Sequence, residues 1–288
     1  MGPQDLLSEW VAAQGAPAGV EWFEQQCAAL ADTYTERRLH ITFGMIPRRL
    51  GKADLLLSED DLQRAEAARG GWNPSGWSVA DAARVLLLLR TTAGSNMSFA
   101  ERLTDLCQNA DVAESVALYR GLAVYPDAKT LEPQAGEGLR TNMRTVFEAV
   151  AHRNPFPRET FDQDRWNHMV LKALFVDSLL DPIAGLDARA NEELARIMCD
   201  YAHERWAAGR PVTPEIWRCV GPFATGAMLD DLERAYASEN DLEARGAALA
   251  LHQCPDERAA RILDGRPPMA TSVRDGEYTW GDIAAELS

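Results

Sequence analysis

Lysine is almost missing from this chain. Lys52, Lys129 and Lys172 are the only three, so 26 of the 29 basic residues are arginine. Base is scarce altogether, because 29 Lys and Arg against 44 Asp and Glu leave a formal charge of −15. That balance repels phosphate backbones and anionic lipid surfaces, which argues against nucleic acid as a partner. Long apolar runs are missing too. Val85 to Leu89 is the longest, far short of the roughly 20 residues a spanning helix needs, so no direct membrane insertion is expected.

The five cysteines, Cys27, Cys107, Cys199, Cys219 and Cys254, form no Cys-x-x-Cys pair and are odd in number. That pattern fits a reducing compartment, and each reads as a small apolar residue of a helix. The opening Met1-Gly-Pro-Gln-Asp-Leu-Leu7 has no basic stretch followed by an apolar core, so the expected location is the cytoplasm. Gly-x-Ser-x-Gly, a glycine-rich phosphate loop and His-Glu-x-x-His are all absent, and no cofactor is expected. No run of alternating β-branched residues argues for a sheet.

What is present reads at helical spacing, and the expected class is all-α. A first helix runs from Asp5 to Ala13, and a long second one from about Glu21 to Phe43 ends at Pro47. Ser58 with Asp61 opens a short acidic helix to Arg69. Gly70 to Trp77 is a turn-rich loop holding two tryptophans, and Ser78 with Asp81 forms a capping box for the most apolar helix, Val79 to Arg90. Ser98 with Glu101 caps the next, and Asp111 begins another that Pro126 stops. Lys129 to His152 suggests either one long helix or two short ones, with Gly136 and Gly138 as its weak point. Asn154-Pro-Phe-Pro157 leads into Phe161 to Phe175, and Asn191 to Ala207 is a further amphipathic helix.

Asp111 to Asp127 and Asp241 to Asp256 share a loose pattern of acid, apolar helix and Pro-Asp. Recurring helix pairs of this kind predict an α-solenoid-like, HEAT-like array over 1–264 as a single domain. Gly265 to Tyr278 reads as extended, in a mobile tail 265–288 that ends in a short stripe of Trp280, Ile283, Ala284 and Leu287.

Three groups of residues could carry function. Arg165, His168 and Lys172 fall on one strip of the 161–175 helix, beside Asn167 and opposite Trp166. Three potential cations would attract a phosphate, sulfate or carboxylate, and desolvation would lower the pKa of Lys172. The alternative is a lysine whose stem covers apolar surface or which pairs with an acid. On the 191–207 helix, Asp200 and His203 stand one turn apart, as two metal ligands or an acid–base pair would, or as solvated members of a polar face. Two ligands do not make a site, so no metal is expected. Arg205 shares the apolar side with Leu194, Met198 and Tyr201 and calls for an acid such as Asp187. The third group is the loop Trp72-Asn73-Pro74-Ser75-Gly76-Trp77 with Arg48, Arg49 and Lys52, where aromatics near cations could bind a flat ligand or pack on the neighbouring helix.

Five stretches, Phe43 to Asp54, Gly71 to Ser78, Arg165 to Phe175, Gly185 to Ala195 and Asp200 to Pro211, together resemble the EboA family. The resemblance extends to about Phe223. It implies a bacterial protein of secondary metabolism and metabolite traffic. Its partners would be a small anionic or prenylated metabolite and proteins of the same gene cluster, including a membrane prenyltransferase. It implies no reaction, and the family pattern carries Gln where this chain has His168, which weakens an imidazole mechanism there. The expected function is a non-catalytic adaptor or carrier using the surface of the 161–175 and 191–207 helices. Two alternatives stand beside it: an enzyme acting on a phosphorylated or cyclitol-like intermediate, and a pure protein–protein scaffold.

Overall fold

The computed structural model describes residues 1–91 and 97–288. Among them are eighteen α-helices and no strand, so the protein is all-α. Its contacts cluster into two compact units, Met1–Phe161 and Asp162–Ser288.

The first unit holds α1 (Pro3–Gln14), α2 (Pro17–Asp32), α3 (Glu36–Leu50), α4 (Glu59–Ala68) and α5 (Val79–Arg90). It continues through α6 (Phe99–Asn109), α7 (Val112–Arg120), α8 (Glu132–Arg140), α9 (Arg144–Ala151) and α10 (Phe156–Thr160). Helix α5 is its axis, packed by α1, α3 and α7. Ser78 and Asp81 close the expected capping box at its start, with Asp81 N donating to Ser78 Oγ and Ser78 N donating to Asp81 Oδ2. Ten successive residues of α5 are buried, among them Val85, Leu86, Leu87 and Leu88. Each such aliphatic side chain contributes roughly 1.5–3 kcal/mol on leaving water.

The long second helix expected over 21–43 is two helices. Thr33, Tyr34 and Thr35 interrupt it, and Thr35 caps α3 by accepting from Arg38 N at 3.3 Å. The apolar spacing runs across the break, which hid it. Pro47 does not end α3 but lies inside it. Gly19 of α2 lets the two helices close up, since a Cβ there would sit 2.0 Å from the Arg49 carbonyl oxygen. Residues 129–152 form the two-helix alternative, α8 and α9. Gly136 and Gly138 lie inside α8 and are not its weak point, because Gly138 packs against the Tyr119 ring.

The second unit holds α11 (Gln163–Phe175), α12 (Glu192–Ala207), α13 (Ile216–Val220), α14 (Ala227–Tyr236) and α15 (Asp241–Gln253), then α16 (Glu257–Asp264), α17 (Pro267–Arg274) and α18 (Trp280–Leu287). Helix α15 is its centre, buried along Ala244 and Gly246–Leu251 and packed by α13, α14, α16, α17 and α18. Gly221 abuts its backbone, where a Cβ would fall 2.6 Å from the Ala250 carbonyl oxygen. The segment 265–278, expected to be extended, contains α17. Pro267 and Pro268 start that helix at positions where no N–H is needed, and Ala270 and Val273 are buried. Trp280, Ile283 and Ala284 of α18 face α15, and Trp280 Nε1 donates to Gln253 Oε1 at 3.4 Å.

Candidate functional site

In the second unit the residues singled out on α11 and α12 take separate roles. Trp166 is fully buried, with the Arg189 guanidinium 4.7 Å from its ring centroid. Asn167 is buried and exchanges amide hydrogen bonds with Asn191, the N-cap of α12, at 3.0 and 3.3 Å. Arg165 is half-buried and His168 is exposed. Lys172 is half-buried, and burial lowers its pKa.

Asp200 and His203 do not converge. Asp200 accepts from Arg196 Nη1 at 2.5 Å on the exposed face, whereas His203 Nε2 lies 2.7 Å from Asp231 Oδ1 of α14. Arg205 is half-buried, and among the described residues no acid pairs with it. Its Nε donates to the Pro211 carbonyl at 2.9 Å, and Asp187 instead receives Arg218 in a two-pronged pair at 2.6 and 2.7 Å. No cluster of three or more His, Cys, Asp or Glu that could hold a metal occurs among the described residues.

The first unit carries a cleft of about 610 Å³, a size suited to a small organic molecule. Four stretches converge on it: Pro47–Lys52, Asn73–Arg84, Asp111–Arg120 and Thr145–Arg153. Trp77, Pro47, Val112, Val116 and Ala149 give it apolar walls. Its floor is charged. Asp81 and Arg84 stand one turn apart on α5 and are only 7% and 4% exposed. Asp81 Oδ2 accepts from Arg120 Nη1 at 2.8 Å, and Arg84 Nη2 donates to Glu114 Oε1 at 3.3 Å. The other donors of Arg84 reach the carbonyls of Phe43 and Ala113, both at 3.5 Å, with the Phe43 ring centroid 5.1 Å from the guanidinium. These contacts are long for a buried guanidinium, and burial lowers its pKa.

The two-tryptophan loop is divided between core and cleft. Trp72 is buried against Trp10 and Trp77, with centroids 5.9 and 6.0 Å away. Trp77, Asn73 and Ser75 line the cleft. Of the three basic residues named with the loop, Lys52 lines the cleft too, whereas Arg49 lies over the Trp22 ring. Sequence reasoning did not single out Asp81, Arg84 and Arg120 as a site. The available signal was the placement of Asp81 and Arg84 within a helix otherwise made of Ala, Val and Leu up to its last residue, Arg90.

Fold and cleft define an all-helical protein with a cavity of metabolite size. The sequence model described as metabolite traffic protein EboA matches residues 3–221, most of the chain, and the chain belongs to the EboA family. No curated protein and no solved structure matches it. No helix among the described residues is long and apolar enough to cross a membrane.

Proposed function

We propose that this protein is a non-catalytic carrier that holds a small metabolite in the cleft of its first unit. The family description supports a role in metabolite traffic. The observation that carries the reading is the cleft floor, where acids and bases are committed to one another: Asp81 to Arg120, Arg84 to Glu114, and Glu148 to Arg144. Such pairs hold shape and polarity while tying up the acids and bases of the floor itself, which leaves those side chains little freedom for proton transfer. The apolar walls suit a prenylated or aromatic body. Delivery to proteins of the same gene cluster is part of this proposal.

Native mass spectrometry of protein purified gently from its producer tests it, with Val116→Trp as a variant that fills the cleft from a half-exposed position. A defined mass excess, lost on denaturation and absent from Val116→Trp, is the expected result. A bare polypeptide mass with neighbouring cluster proteins co-eluting overturns it in favour of a scaffold.

A further inference from the structure

We infer that the ligand of this cleft carries an acidic group, phosphate or carboxylate, seated at a mouth built by Lys52 and Arg153. The inference rests on the carrier reading above. Lys52 and Arg153 both line the cleft, and among the described residues neither side chain has an ion pair. In a chain of charge −15 with three lysines, two exposed, uncommitted cations lining one cleft form a local exception.

Both are placed by specific backbone. Gly51, at φ 102, turns the chain out of α3, and an isolated bridge between Asp54 and Ser78 then anchors the next residues, with Val79 N donating to the Ala53 carbonyl at 2.9 Å. Arg153 is held at φ 49, a left-handed conformation that is uncommon for a residue with a Cβ, and its carbonyl accepts from Asn73 N at 3.3 Å. The Asn73 contact brings the Arg153 segment to the tryptophan loop, and the bridge brings the Lys52 segment to the same loop.

The acids facing the cleft are occupied. Asp81 holds Arg120 and the N-terminus of α5, Asp111 caps α7 by accepting from Glu114 N at 2.8 Å, and Glu148 accepts from Arg144 Nε at 2.7 Å. An anionic group held by Lys52 and Arg153 would therefore face two donors without an ion pair, in a cleft that Asn73, Trp77 and Pro47 also line.

The test is calorimetric titration of the full chain with 1-naphthyl phosphate, 1-naphthoate and 1-naphthol. The partner variant is Lys52→Gln with Arg153→Asn; both positions are exposed, and Asn tolerates the left-handed backbone. At least one anion should bind wild type about tenfold or more tighter than the alcohol, with that advantage lost in the double variant. Phosphate as the tighter anion assigns a phosphoryl head, and naphthoate as the tighter assigns a carboxylic acid. Naphthol binding as tightly as both anions, unchanged in the variant, overturns the acidic group and leaves the carrier reading standing. Failure of both anions to bind protein that shows a native mass excess does the same. Failure of all three with a bare native mass overturns both readings.

Discussion

Arg84 donates through Nε to the Phe43 carbonyl at 3.5 Å, and Pro47 is the reason that carbonyl is available. Phe43 is four residues before Pro47, and proline has no N–H to close the helical bond. The break in the α3 ladder thus supplies an acceptor to a buried guanidinium on α5. Arg84→Met is expected to cost about 1–3 kcal/mol, and less in a Pro47→Ala background, where the backbone satisfies Phe43 itself. A double-mutant cycle of urea unfolding should show a coupling of about 0.5–1.5 kcal/mol; strict additivity would mean that the two features are independent.

Gly19→Ala should destabilise the first unit by about 1–3 kcal/mol or more, because its methyl group would meet the Arg49 backbone and only a helix shift relieves that. Gly136→Ala, with open space at its Cβ, should raise the melting temperature instead. Thermal unfolding of the two variants side by side checks the contrast.

Glu215 is 3% exposed and accepts from Leu180 N at 3.0 Å and Asp181 N at 2.8 Å. Burial raises its pKa above 4.5, and the two backbone donors offset this only in part. A raised acid pKa means that the folded state holds the proton more tightly. Its contribution is then fully present below about pH 4.5 and is lost as pH rises through the folded pKa. Relative to Glu215→Gln, wild-type stability should decline over that window. Urea midpoints measured at intervals from pH 4 upward would show the two curves diverging, and parallel curves would contradict the shift.

The thiols should be slow to alkylate. Burial pushes Cys27 up to about 11, and Cys107, Cys199 and Cys219 up to about 12, with Cys254 raised as well. At pH 8 a shift from 9 to 11 lowers the thiolate fraction about 100-fold. Iodoacetamide treatment followed by intact-mass measurement should leave the native protein largely unmodified and add five carbamidomethyl groups in urea.

Lys172→Met should preserve the fold and raise the melting temperature slightly. Burial disfavours the charged amine, and a thioether of similar length keeps the apolar contact. Circular dichroism melts check this, and a large drop would mean that the ammonium group is required for folding.

The all-α class and most helix starts were legible because both are local. Ser58, Ser78, Ser98 and Asp111 each sit three residues before an acid that answers the cap, and each forms its box. The α2–α3 break was not legible, since Tyr34 keeps the apolar spacing going while the two threonines carry only a weak signal. Helix α17 was hidden behind two prolines that read as extended chain yet suit a first turn. The cleft could not be read because its four stretches are far apart in sequence and meet only once the chain has folded, through packing on α5 and the backbone contacts of the tryptophan loop. Only the tryptophan loop and Lys52 gave notice of it. The Asp200–His203 spacing was real, but a neighbouring Arg196 and an acid on α14 were nearer partners than each other.

The family match stops at residue 221, yet Gly221 is pressed against the backbone of α15, a helix wholly outside the match. The second unit is therefore assembled across that boundary, with α13 and α15 sharing one interior. Trimming this chain to the family limits would strip the cover from a face made for another helix, giving an aggregation-prone fragment in place of a minimal domain.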